Sequence, residues 1–109
     1  FNHSEHVHLV LYQGTEIIGY AHIQFWSDHR AALRIIVIDE DKRNKNAGSK
    51  FLALSEKWLK SLGVKSIHAE SRQASLVFYL KNGYTEMSFN DPEEHEPDPH
   101  DIPVAKVSQ

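Results

Sequence analysis

Ile35 to Ser49 reads IIVIDEDKRNKNAGS: an apolar run ends in a short polar loop that leads straight into an amphipathic helix. A loop of this kind presents backbone N–H groups at a helix N-terminus, where the partial positive charge favours a phosphate or pyrophosphate. Arg43 and Lys45 add mobile positive charge beside those amides. That is an anion-binding layout.

The flanking segments supply the rest of a sheet. Upstream, Val7 to Tyr12 and Ile17 to Trp26 are predicted as an antiparallel hairpin turned at Gln13-Gly14-Thr15-Glu16. After a turn at Ser27-Asp28-His29-Arg30, Ala31 to Ile38 is predicted as a central strand, its aliphatic run buried on both faces. Downstream, Phe51, Leu52, Leu54, Trp58, Leu59 and Leu62 recur at helical spacing. They predict a helix from Ala47 to Leu62, closed by Gly63 with Val64 as the apolar contact that follows such a cap. Val64 to Ala69 is then a strand reached through a helical crossover, hence parallel to the third. A short helix from Gln73 to Asn82 ends at Gly83. Tyr84 to Phe89 and Ile102 to Val107 are the last strands, joined by the acidic, proline-bearing connection Asn90 to His100. The expected order is β-β-β-α-β-α-β-β, in a mixed, mostly antiparallel sheet flanked by helices.

Two stretches carry a resemblance. Arg43-Asn44-Lys45-Asn46-Ala47-Gly48 resembles the acetyl-CoA pyrophosphate loop of the GNAT acyltransferase superfamily: Arg or Gln, two residues, Gly, one residue, then Gly or Ala. Asn46 stands where the family usually has its first Gly, and Asn tolerates the left-handed conformation better than most residues. Ser75-Leu76-Val77-Phe78-Tyr79-Leu80-Lys81-Asn82-Gly83-Tyr84 is similar to the family's A-x-x-F-Y-x-x-x-G-F/Y segment, with Ser in first place. The resemblance runs from Val7 to Val107. It implies the GNAT acyl-CoA N-acyltransferase fold as a single α/β domain over residues 1–109, with the family's opening strand and first two helices missing. The sheet edge left open by that strand would admit self-pairing into a homodimer.

Composition narrows the function classes. A chain of 109 residues is one domain, and 40% apolar with 25% charged residues is ordinary for a soluble globular protein. The longest apolar run is far too short to cross a bilayer, and no signal peptide is visible, so no membrane partner is expected. The absence of cysteine excludes a disulfide, a thiolate nucleophile and a cysteine-bound metal, and it fits a reducing compartment, with the cytoplasm as default. A net charge of −3 argues against a general nucleic-acid partner and suits a cationic amine mildly better.

The resemblance then implies a site. The acyl-CoA pantetheine arm would lie along the end of the third strand at Ile36 and Ile38, with the pyrophosphate on the loop. The cofactor-binding set is Ile36, Ile38, Arg43, Asn44, Lys45, Asn46, Ala47, Gly48 and Ser49. The plain alternatives are core packing for the isoleucines and a polar capping turn for the loop. Tyr79 matches the family's Tyr that donates a proton to the leaving thiolate; its plain alternative is a helix aromatic anchored by its ring. The general base stays open. The family's strand glutamate falls at Ala32, leaving Glu70, His68, Asp39, His22 or a water chain, with Glu70 entered as the candidate.

The expected reaction is transfer of an acetyl group from acetyl-CoA, the cosubstrate, to a primary amine on a small molecule or peptide, by direct attack. One rival is a degenerate domain of the same fold that binds CoA or a partner protein without turnover, favoured by Asn46 and the missing glutamate. Another is a small histidine-rich metal module built from His3, His6, His8, His95 and His100. Their spacing matches no strong metal motif, so no metal ligand is assigned.

Overall fold

The computed structural model describes residues 5–39, 46–92 and 98–108. Within them run β1 (His6–Gln13), β2 (Glu16–Phe25), β3 (Arg30–Ile38), helix α1 (Ala47–Ser61) and β4 (Ser66–Ser71). A 3₁₀ turn (Gln73–Ser75) then passes into helix α2 (Leu76–Lys81), followed by β5 (Thr85–Glu86) and β6 (Ile102–Val107). The strands form one six-stranded sheet in the order β1-β2-β3-β4-β6-β5. Only β3 and β4 run parallel; the other neighbours are antiparallel. This is the expected element order and the expected mixed sheet. No helix among the described residues is long and apolar enough to cross a membrane.

Alternation along the strands decides what each face does. Ala21, Ile23 and Phe25 of β2, Ala31 and Leu33 of β3, and Ile67 and Ala69 of β4 share one buried cluster with Phe51, Leu52 and Leu59 of α1. Gly19 permits the closest approach in this layer, since a Cβ there would lie 2.8 Å from the Ile38 side chain and 3.2 Å from the Phe51 ring. At its C-terminus α1 ends as the sequence predicts. Gly63 takes φ 90°, its N–H donates to the Lys60 carbonyl at 3.0 Å, and the Val64 N–H reaches the Leu59 carbonyl at 3.1 Å.

Four local expectations are corrected. Leu54 is 58% and Leu62 38% exposed; the helix face turned to the sheet takes Ser55 instead, whose hydroxyl donates to the Phe51 carbonyl at 2.9 Å. The segment from Gln73 opens as a 3₁₀ turn and becomes α-helical only from Leu76. The strand expected over Tyr84 to Phe89 pairs only at Thr85–Glu86. Met87 still donates to the Pro103 carbonyl at 2.9 Å, but proline has no N–H to return, so the ladder stops there. The fourth correction concerns β3, which is not buried on both faces throughout: Ile35 and Val37 are 45% and 48% exposed.

That exposure comes with a split in the sheet. β3 and β4 pair only where Arg30 to Ala32 meet Ser66 to His68, although β3 runs on to Ile38 and β4 to Ser71. Between His22 and Ile23 the β2–β3 register slips, leaving Arg34 without a register partner on β2. A bulge of this kind bends its strand, and here it falls where β3 departs from β4. The C-terminal ends of the two strands are left apart with a cleft between them.

Candidate functional site

The cleft has a volume of about 530 Å³. One wall is Ile36, Val37 and Ile38 of β3; a second is Asn46, Gly48 and Ser49 at the start of α1. The third runs from just beyond β4 through the 3₁₀ turn into α2, and contributes Arg72, Ala74, Ser75, Phe78, Tyr79 and Lys81. Asp39 N–H donates to the Ile18 carbonyl at 2.7 Å. By the alternation of an antiparallel ladder, the main-chain groups of Ile36 and Ile38 then point away from β2, towards the gap.

The start of α1 explains why Asn serves where the resemblance expects Gly. Asn46 adopts the left-handed conformation, φ 58° and ψ 21°, and its carbonyl accepts from the Lys50 N–H at 3.0 Å to open the helix. The N–H groups of the turn that follows have no partner inside a helix, and no acidic side chain sits in that turn to compete for them. Gly48 lets α1 approach α2: a Cβ there would lie 3.2 Å from the Phe78 ring and 3.7 Å from Ile38.

Tyr79, only 7% exposed, lies edge-on to Phe78 and Tyr84 at centroid distances of 5.5 and 5.3 Å. Burial pushes its pKa up to about 12, which disfavours the phenolate further.

Of the residues singled out in the sequence, Ile36, Ile38, Asn46, Gly48, Ser49 and Tyr79 meet in this one cleft. Ala47 packs against the core instead, and Arg43, Asn44 and Lys45 lie outside the described residues. Sequence reasoning passed over Arg72 and Lys81. Lys81 lies inside the second quoted motif and Arg72 shortly before it; both are cations, and none of the described lining residues is a carboxylate. The cleft therefore carries positive charge suited to a polyanion.

The base candidates disperse. His68 is 5% exposed, its ring 5.8 Å from Trp26 and 4.8 Å from Phe89, with Nε2 2.8 Å from the Ser66 hydroxyl. Desolvation first, then the Arg30 guanidinium, lowers its pKa to about 4. It stays neutral but is a poor proton acceptor. His22 lies with Nε2 2.7 Å from His6 Nδ1 and its ring stacked on His8 at 4.7 Å. Desolvation, then His8, His6 and Arg34, hold its pKa below the usual histidine range. Asp39 is exposed just beyond β3; Glu70 is half-buried on β4, opposite Pro103 of β6 and outside the cleft lining. Ala32, where the resemblance would place a glutamate, has Gln24 and His68 as its register neighbours.

The described histidines form no metal centre: no group of three or more His, Cys, Asp or Glu among the described residues could hold a metal ion. His3 and His95 lie outside the described residues. The acidic connection is fixed at its root, where the Arg34 guanidinium donates to Asp91 at 2.9 and 3.2 Å and to Gln24 Oε1 at 3.0 and 2.8 Å. Residues 93–97 of that connection lie outside the described residues.

Comparison with known proteins points one way. The family model described as "Acetyltransferase (GNAT) family" matches residues 1–84. Among solved structures, Tetrahymena GCN5 superposes with a TM-score of 0.83 at 9% identity, over 95% of this chain and 69% of that one. The PaiA N-acetyltransferase of Thermoplasma acidophilum, solved in complex with coenzyme A, gives 0.79 at 19%, over 94% and 60%. The ribosomal-protein-S18-alanine N-acetyltransferase of Escherichia coli gives 0.75 at 22%, over 95% and 70%. At these identities the likeness is one of fold. No curated protein matches the sequence.

Proposed function

The chain belongs to the GNAT acetyltransferase family, and from that footing we propose that it transfers the acetyl group of acetyl-CoA to a primary amine by direct attack. The observation that carries this reading is the meeting, in one cleft whose described lining holds no carboxylate, of the split end of β3, the first turn of α1 and Tyr79. The pantetheine arm would lie along Ile36 and Ile38 with the thioester near Tyr79, and the pyrophosphate would take the N–H groups of the first turn of α1. Arg72 and Lys81, together with Arg43 and Lys45 from the loop, would complement the phosphate charge.

The chemistry is balanced by two proton movements. The neutral amine attacks the thioester carbonyl carbon, forming the C–N bond and a tetrahedral oxyanion; collapse breaks the C–S bond and expels the CoA thiolate. Tyr79 hydrogen-bonds the developing thiolate and supplies its proton; because burial disfavours the phenolate, the nitrogen's surplus proton, relayed through water, restores it. That proton leaves the nitrogen to water or to a base, for which Glu70 remains the candidate. Positioning of the two reactants supplies much of the acceleration.

A second reading, a CoA-binding member without turnover, is favoured by one specific feature: at Ala32 the sheet offers no carboxylate, and the adjacent His68 is sealed between Trp26 and Phe89 with its pKa lowered to about 4. Calorimetric titration of acetyl-CoA into the chain, beside Arg43→Ala with Gly48→Asp, tests the donor site. Binding that the double variant loses supports the cleft; no binding to the parent sinks both readings. An amine panel scored by thiol release then separates enzyme from silent binder.

A further inference from the structure

The hydrogen bonds around Asn82 fix the direction of a hydroxyl in the cleft. Asn82 follows α2 directly, and its side-chain nitrogen donates to the Phe78 carbonyl at 2.8 Å and to the Ser49 hydroxyl oxygen at 3.1 Å. The Phe78 carbonyl only accepts, so the amide must turn its NH₂ towards it, and that settles which way the side chain faces. The same NH₂ reaches Ser49, which must therefore accept. A serine hydroxyl that spends a lone pair on one neighbour still has its own proton to place. Among the described residues that proton meets no protein acceptor, and Ser49 lines the cleft in the first turn of α1.

The Asn82 backbone is itself held. Its carbonyl accepts from Lys106 Nζ at 2.9 Å, and the same ammonium pairs with Glu56 of α1 at 3.0 Å. Asn82 thus ties the end of α2 to β6 and to the start of α1, the element that meets α2 across Gly48 and Phe78.

We infer that Asn82 is a positioning residue for the acyl-donor site: it forces Ser49 to present its hydroxyl as a donor, aimed at an anionic oxygen of the ligand in the cleft. The inference rests on the proposed binding of acetyl-CoA there and adds to it a polarity that the backbone N–H groups alone do not specify. The oxygen addressed belongs to the pyrophosphate, because Ser49 and those N–H groups share one turn of helix.

The test is a double-mutant cycle on acetyl-CoA affinity, with S-acetylpantetheine, which lacks the pyrophosphate, as the second ligand. Ser49→Ala and Asn82→Leu should each weaken acetyl-CoA binding on the order of tenfold, the usual worth of a hydrogen bond to a charged group. The double variant should be no weaker than the more damaged single, since both remove one bond, and S-acetylpantetheine binding should be unchanged in all three. A merely structural Asn82 would lower the melting temperature while leaving the affinity of the folded protein alone, or would weaken both ligands equally. Either result, or losses that simply multiply in the double variant, overturns the inference. If the parent fails to bind acetyl-CoA, the donor-site reading itself falls; parent binding that Ser49→Ala and Asn82→Leu leave intact sinks only the role of Asn82.

Discussion

Mild acid should weaken this fold through one imidazole. His68 is neutral when folded, with its pKa lowered to about 4 by desolvation and by the Arg30 guanidinium, against a small opposing effect of Asp28. Unfolded, it titrates near 6.5. Between these values the unfolded chain binds the proton and the folded one does not, so stability is fully present above pH ~6.5 and is lost as pH falls towards ~4. At pH 5 the two protonation equilibria differ by a factor of about 30, which is about 2 kcal/mol, a large part of the margin of a small domain. Urea unfolding of the parent and of His68→Phe at pH 7.5 and pH 5 isolates this contribution. Phenylalanine keeps a ring between Trp26 and Phe89 and gives up only the bond to the Ser66 hydroxyl. The parent should lose about 2 kcal/mol more than the variant between the two pH values, because the other titrating groups largely cancel in the difference. An equal loss in both proteins, or an NMR titration of His68 centred near its ordinary value, would refute the reasoning.

Other perturbations test separate parts of the same architecture. Gly19→Ala should cost about 1–3 kcal/mol in thermal unfolding, since the new methyl meets Ile38 at 2.8 Å and has Leu11 and Phe51 at 3.2 Å; an unchanged melting temperature would show that β2 and α1 have slack there. Arg34→Met should cost about 3 kcal/mol by leaving the Asp91 carboxylate, whose side chain is only 11% exposed, without its guanidinium. Adding Asp91→Leu should restore much of that loss, and a double variant as weak as the single would disprove the cause. Tyr79→Phe should lower turnover about a hundredfold while leaving acetyl-CoA affinity and stability nearly intact; stopped-flow release of CoA reads the first and calorimetry the second, and undiminished turnover would remove Tyr79 from the chemistry.

The fold was legible because its signals are local. The helix α1, its Gly63 cap and the parallel return of β4 follow from periodicity and crossover handedness, and the first two strands from alternation around one glycine-bearing turn. What escaped depends on partners far along the chain. β5 is short because of Pro103, which sits on another strand. Leu54 has the right spacing but sits just off the face that meets the sheet, while Ser55 is acceptable there only because its hydroxyl finds the Phe51 carbonyl one turn back. The cleft divides the same way. Gly48 and Tyr79 stand inside recognisable motifs, whereas Arg72 comes into view only once β4 and α2 are seen to border the gap. The link from Asn82 to Ser49 joins residues 33 positions apart, and neither side chain carries a pattern that announces it.

The split between β3 and β4 has an energetic consequence that binding should reveal. Strands that part inside a sheet give up ladder hydrogen bonds, and main-chain groups turned towards the gap, such as those of Ile36, gain most from a ligand that offers amide partners. A pantetheine arm has two amides and the length to do this; an adenosine bisphosphate has neither. At a hundred times its dissociation constant any ligand specific for the folded state adds about 2.7 kcal/mol, which in a domain of this size raises the melting temperature by roughly 10 °C or more. Acetyl-CoA and adenosine 3′,5′-bisphosphate, each at that multiple of its own constant, should therefore shift melting alike. Amide exchange separates them: the Ile36 N–H should be protected further by acetyl-CoA and left as it was by the bisphosphate. If both ligands protect Ile36 equally, or neither does, the arm does not pair along β3 and the open end of the sheet is a packing feature with no part in holding the donor.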